Sequence, residues 1–170
     1  MRTLPHALCV AALVFAPASA AAQFGIAPQV SWGDDTDIGI GARLALRLPT
    51  DLPLEATASF DFFFPEEDVI DTYWEANANV NYQVQGVQSP FVPYVGGGLN
   101  VARIELRPVD LPGDGTSPGA SSTEIGLNLL GGVRYVGTAA TPYAEVRFEV
   151  GGGEQVVLTG GLIFNVGPGL

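Results

Sequence analysis

From residue 24 onward the sequence alternates, segment after segment, between apolar and polar side chains, and this period of two constrains the fold more than any other feature. In Ile38-Gly39-Ile40-Gly41-Ala42-Arg43-Leu44-Ala45-Leu46-Arg47-Leu48 every even-numbered residue is apolar and both arginines fall on odd positions. Leu54, Ala56, Ala58, Phe60, Phe62 and Phe64 alternate with Glu55, Thr57, Ser59 and Asp61, and Trp74, Ala76, Ala78, Val80 and Tyr82 alternate with Glu75, Asn77, Asn79, Asn81 and Gln83. Consecutive side chains of a strand point to opposite faces, so each segment predicts a strand with one apolar and one polar side. Phe24 to Trp32, Ser122 to Tyr135, Tyr143 to Val150 and Gln155 to Val166 repeat the pattern. Pro90 to Leu106 is less regular: Val95, Leu99 and Val101 share a parity that Ile104 and Leu106 break, which predicts a bulge near Ala102. The expectation is an all-β domain of eight antiparallel strands.

Alternating strands fit two opposite objects, a soluble barrel with its apolar face inside and a membrane barrel with that face in lipid. The polar face decides between them. The chain has no lysine, and its polar positions carry Asn77, Asn79, Asn81, Asn128, Thr57, Ser59, Gly39 and Gly41 with a few charges. A water-facing surface would be rich in long charged side chains, whereas small neutral groups suit a cramped polar lumen. The apolar face has aromatic residues at both strand ends: Trp32, Phe62, Phe64 and Trp74 at one rim, and Phe24, Tyr82, Phe91, Tyr135 and Phe164 at the other. Two aromatic rims around a band of small aliphatics predict a girdle at headgroup depth. Segments of about ten residues match a tilted crossing, and closure is required because an open edge would leave backbone groups unpaired in hydrocarbon. The fold expected is an eight-stranded up-and-down transmembrane β-barrel, with a soluble barrel binding a small apolar ligand as the alternative.

Residues 1–22 read as an export signal. Arg2 precedes an apolar run from Ala7 to Phe15, and Ala18-Ser19-Ala20-Ala21-Ala22 offers small residues for a peptidase after Ala20 or Ala22. The apolar core is too short to span a membrane as a helix. The expected organisation is therefore a Sec-type signal peptide, 1–22, and a barrel domain, 23–170, placed in the outer membrane of a Gram-negative-type bacterium. Cys9 and His6 are the sole residues of their types and both lie in the signal. A net charge of −11 argues against a nucleic-acid partner, since no basic patch offsets phosphate repulsion.

Three phrases, Pro93-Tyr94-Val95-Gly96-Gly97-Gly98-Leu99-Asn100-Val101, Gly131-Gly132-Val133-Arg134-Tyr135 and Pro142-Tyr143-Ala144-Glu145-Val146-Arg147, sit on this pattern, and with them the chain resembles the small eight-stranded outer-membrane barrels. That family includes the membrane domain of outer-membrane protein A, outer-membrane protein X and the opacity-type proteins. The resemblance implies lipids, lipopolysaccharide and the barrel-assembly machinery as partners, and an envelope structural or surface-interaction role. Family chains commonly end on an aromatic residue, whereas this one continues from Phe164 through Asn165-Val166-Gly167-Pro168-Gly169-Leu170.

Arg43, Arg47, Arg134 and Arg147 share the lumen face with Glu55, Asp61, Glu75, Glu124, Glu145 and Glu149. Eight strands enclose little more than side chains, so these residues predict a paired polar network that plugs the lumen, with a narrow pore as the other reading. Arg134 shares its strand with lumen-facing Glu124 and Asn128, and its removal is expected to leave a carboxylate less well compensated. With His6 and Cys9 removed, the usual nucleophile–base pairs are missing, and no catalytic residue, cofactor or fixed metal ligand is assigned. The acidic links, Asp34-Asp35-Thr36-Asp37, Glu66-Glu67-Asp68 with Asp71, and Asp110 with Asp114, are candidates for weak divalent-cation binding on the cell exterior.

Overall fold

A computed structural model describes residues 24–166 apart from 67–69, 87, 112–114, 118, 137–139 and 152–153, and the side chains of 109–118 are likewise outside it. The expected signal peptide falls outside the described residues, as do Glu67, Asp68 and the side chains of Asp110 and Asp114. Ten strands follow in order: β1 (Phe24–Gly33), β2 (Asp37–Arg47), β3 (Leu54–Phe63), β4 (Ile70–Gln83), β5 (Phe91–Leu106), β6 (Val109–Leu111), β7 (Gly115–Ser117), β8 (Ser121–Tyr135), β9 (Ala140–Val150) and β10 (Val156–Val166). Eight of them close an antiparallel barrel in the order β1-β10-β9-β8-β5-β4-β3-β2. Closure comes from β1 pairing with β10, Phe24 opposite Val166 and Trp32 opposite Leu158. The remaining two form a separate hairpin, β6–β7, within the link from β5 to β8. The sequence pattern did not predict that hairpin, because two three-residue strands are too short to show a period.

The apolar parity faces outward. Ile38, Ile40, Ala42 and Leu44 of β2 are exposed, as are Ala58 and Phe60 of β3 and Ala78 and Val80 of β4, while the intervening polar residues are buried. A soluble barrel holding an apolar ligand would show the reverse. All nine predicted girdle aromatics lie on the outer face: Phe24, Trp32, Phe64, Tyr82, Phe91, Tyr135 and Phe164 are exposed, and Phe62 and Trp74 are half-buried by neighbouring rings. Phe62 and Trp74 are cross-strand partners, and Phe91 and Tyr135 face each other with ring centroids 5.1 Å apart. Such pairs hold the rims of adjacent strands together.

The bulge expected near Ala102 is absent. The β5–β8 register runs without a break from Phe91–Tyr135 to Glu105–Ser121. The irregularity lies instead in β4, between Ile70 and Thr72, where Asp71 is the extra residue. Ile104 breaks the apolar parity because it points into the barrel, where it packs on Phe63, Ile70, Tyr73, Ala102 and Val157. The exception to the pattern is thus an apolar layer inside the lumen. It sits at the end of the barrel carrying the β1–β2, β3–β4, β5–β8 and β9–β10 links, hereafter the loop end; the other is the short-turn end.

Candidate functional site

Inward positions of all eight barrel strands converge on one packed interior, built in layers. Under the apolar layer at the loop end lies the Arg147 group. Arg147 Nη2 donates to Glu75 Oε2 at 2.8 Å and its Nε to Glu149 Oε1 at 2.7 Å. Gln155 Nε2 donates to Glu149 Oε2 at 3.1 Å and to the Tyr73 hydroxyl at 3.3 Å, and also to Glu75 Oε1. Tyr73 in turn donates its hydroxyl to Glu75 at 3.1 Å. Both side chains of the Arg147–Glu75 pair are 0% exposed. Gln155 also accepts from Thr36 Oγ1 at 3.0 Å, so one amide ties the β1–β2 turn to the buried charges.

The middle layer is mostly neutral. Asp61 Oδ1 accepts from Gln29 Nε2 at 2.7 Å and from Ser31 Oγ at 2.9 Å. Asn128 Nδ2 donates to the side-chain oxygens of Asn77 and Asn79 at 2.8 and 2.9 Å. Below it Arg43 makes a two-pronged pair with Glu145, 2.8 and 2.6 Å, and Arg134 makes another with Glu55, 2.7 and 2.6 Å. The fork of a guanidinium matches both carboxylate oxygens, which makes such pairs short and directional.

Two tyrosines wall these pairs. Tyr94 donates to Glu145 Oε2 at 2.9 Å and lies under the Arg134 guanidinium carbon at 5.1 Å, while Tyr143 donates to Gln29 Oε1 at 2.6 Å and lies under that of Arg43 at 4.5 Å. Each ring covers a glycine of the neighbouring strand, Tyr94 over Gly132 and Tyr143 over Gly161. A Cβ at Gly161 would stand 2.7 Å from Tyr143 Cε1 and 2.7 Å from the Pro28 carbonyl oxygen. The backbone contact cannot relax by a rotamer change. Gly161→Ala is therefore expected to destabilise the barrel by about 1–3 kcal/mol, measured by urea unfolding in lipid vesicles; an unchanged midpoint would show that the ring is not held there.

Eight of the ten predicted lumen residues are buried in this interior: Arg43, Glu55, Asp61, Glu75, Arg134, Glu145, Arg147 and Glu149. The other two are placed elsewhere. Arg47 is exposed at the short-turn end, where it lines a cavity of about 170 Å³ with Glu55, Arg134, Gln83 and Asn165. Glu124 is exposed on β8 at the loop end. The carboxylate that Arg134 compensates is Glu55 of β3, across the barrel, because inward side chains of a narrow barrel meet over the axis. Sequence reasoning passed over Gln29, Phe63, Tyr73, Tyr94, Tyr143 and Gln155. Their inward parity was readable, since Tyr143 falls in step with Glu145 and Arg147, and Phe63 with Glu55 through Asp61.

The buried carboxylates Glu55, Asp61, Glu75, Glu145 and Glu149 outnumber the buried guanidinium groups Arg43, Arg134 and Arg147. The excess is concentrated where Glu75 and Glu149 share Arg147, and at Asp61, held by neutral donors. A second cavity of about 150 Å³ opens at the loop end, lined by Asp35, Thr36, Ile70, Tyr73, Ile104, Glu154 and Gln155. It shares no lining residue with the cavity at the short-turn end. Among the described residues no group of three or more His, Cys, Asp or Glu side chains is arranged to hold a metal ion. Asp34 and Asp37, two of the acids expected to favour cations, each accept a backbone N–H group, Asp34 from Val156 at 2.8 Å and Asp37 from Glu66 at 2.9 Å.

No protein-family model and no curated protein matches the sequence. Solved structures do. The N-terminal β-barrel domain of Pseudomonas aeruginosa OprF is 16% identical, with a TM-score of 0.64 over 85% of this chain and 97% of that one. A major outer membrane protein from Thermus thermophilus is 14% identical, with a TM-score of 0.61 over 86% of this chain and 100% of the other. Neisserial surface protein A is 21% identical, with a TM-score of 0.50 over 85% and 92% of the two chains. With its closed antiparallel barrel, apolar exterior and polar interior, the chain has the fold of the small eight-stranded outer-membrane barrels.

Proposed function

We propose that this protein is an exported outer-membrane barrel without enzymatic activity, acting as a structural or surface-interaction component of the envelope, with a lumen that is a plug and not a pore. The observation that carries the reading is the pairing of opposites across one sheet: large apolar side chains such as Ile40, Leu99, Leu129 and Phe148 are about half exposed outside, while Arg147, Glu75, Asp61 and Asn81 are completely buried inside. That arrangement is costly in water and favourable in lipid. The similarity to outer-membrane barrels of known structure agrees with this location. On this reading the short-turn end faces the periplasm, and lipids, lipopolysaccharide and the assembly machinery are the partners.

Two measurements test it. The folded protein is expected to sit in the membrane fraction and to migrate differently on a denaturing gel before and after boiling, since a closed barrel resists detergent. In planar bilayers the protein is expected to give no large steady openings, because Arg147 and Tyr94 are fully buried side chains crossing the lumen and eight strands leave room for little else. Steady ion-selective openings would favour the pore reading instead.

A further inference from the structure

Arg47 is the exception among the arginines. Arg43, Arg103, Arg107, Arg134 and Arg147 each form an ion pair with a carboxylate, whereas among the described residues Arg47 forms none, and its side chain makes no hydrogen bond. The chain holds 18 acidic residues against 7 basic ones, so an arginine without an acid has a specific cause. Register supplies it. Arg47 stands directly opposite Glu55 on the neighbouring strand, the placement from which opposite charges ordinarily pair. Both oxygens of Glu55 are instead taken by the fork of Arg134, at 2.7 and 2.6 Å. Two guanidinium groups therefore face one carboxylate at the short-turn end, the reverse of the layer in which Glu75 and Glu149 share Arg147. Asp51, in the adjoining turn, is exposed and makes no ion pair with Arg47.

The cavity of about 170 Å³ lies among these groups, with room for about five or six water molecules. Thr141 lines it, is only 7% exposed, and makes no side-chain hydrogen bond with the described residues. A buried hydroxyl without a partner is costly unless something else meets it. Gln83 and Asn165 add two side-chain amides that are likewise unbonded. Ala45, Val136 and Ile163 form the apolar part of the wall.

We propose that this cavity binds a small organic carboxylate, held by Arg47. The two oxygens of a carboxylate match the guanidinium fork. Thr141, Gln83 and Asn165 supply neutral donors beside it, and the apolar wall takes a chain of a few carbons. A cation is disfavoured there, because Arg47 and Arg134 repel it and Glu55 is already committed. The acids of the loop end stand about 20 Å or more away along the tilted strands, beyond the ~8 Å over which charges act in physiological salt. Free acids and peptide termini carry this chemistry alike, and the test separates them.

The test uses the full chain folded in an uncharged maltoside detergent, in a buffer without carboxylate or phosphate, with butyrate as the probe. Butyrate is expected to shift the backbone amide resonances of Arg47, Thr141 and Asn165 saturably and to leave those of Glu105 and Ser121, at the loop end, in place. Arg47→Gln is expected to weaken binding by about tenfold or more, the worth of a hydrogen bond to a charged group. Its urea unfolding midpoint is expected to stay unchanged, since Arg47 holds no other side chain, and Arg103→Gln is expected to leave binding unchanged. Butyramide has the same shape without the charge and is expected not to bind. Acetylated alanyl-valine with a free carboxylate identifies the source: tighter binding than butyrate assigns the site to a peptide terminus, and otherwise to a free acid. Any of three results would overturn the proposal: no saturable shift with either carboxylate, equal binding of butyramide, or full affinity in Arg47→Gln.

Discussion

The Arg147→Met variant is expected to lose about 3–5 kcal/mol of stability, because removing one partner of a buried ion pair leaves an uncompensated charge in a medium that cannot solvate it. Here two carboxylates are left. Arg147 bonds both Glu75 and Glu149, and neither carboxylate accepts from another guanidinium in the described structure. Methionine keeps much of the arginine's length, so packing loss is minor beside the electrostatic change. The converse substitution separates the two contributions. Glu149→Gln leaves one guanidinium facing one carboxylate and is expected to change stability by no more than about 1 kcal/mol in either direction, since the lost pair is offset by the lost desolvation. Urea unfolding in lipid vesicles, followed by the fluorescence of Trp32 and Trp74, reads both. Equal losses for the two variants would mean that the shared-guanidinium arrangement is not what holds this layer.

Ala78→Arg is expected to cost about 2–4 kcal/mol, the penalty for a cation on the lipid face near the middle of a membrane barrel. Ala78 is exposed between Ala58 of β3 and Leu99 of β5, with no inward room for its side chain to turn to. Its neighbour Asn79 is buried and accepts from Asn128 at 2.9 Å. Asn79→Ser loses one neutral hydrogen bond and is expected to cost about 1 kcal/mol. The comparison is made by refolding each variant into vesicles. A harmless Ala78→Arg beside a severe Asn79→Ser would reverse the facing of every strand.

Much of this architecture is local and for that reason was readable. Whether residue 43 or 44 faces the lumen depends only on parity, and parity is carried by adjacent residues; Arg43, Asp61, Glu75 and Arg147 were placed inward on that ground alone. The places where reading failed are those where parity and polarity disagree. Ile104 is apolar but inward, and the rule that apolar means outward turned a correct strand into a bulged one. Tyr94 and Tyr143 are inward aromatics, missed because aromatic residues were assigned to the rims. Asp71 is the true irregularity in pairing, and a single extra residue at the start of a strand leaves no periodic trace.

The sequence by itself determined the number of barrel strands, the face occupied by every side chain whose polarity agrees with its parity, and the solvent each face requires, since all three follow from a two-residue repeat and its composition. Only the tertiary structure decided who meets whom inside. Arg134 pairs with Glu55 and Arg43 with Glu145, partners 79 and 102 positions apart. Closure of the sheet and the stagger between strands set which inward positions stand at the same height, and these are properties of the whole ring of hydrogen bonds, which no single segment encodes.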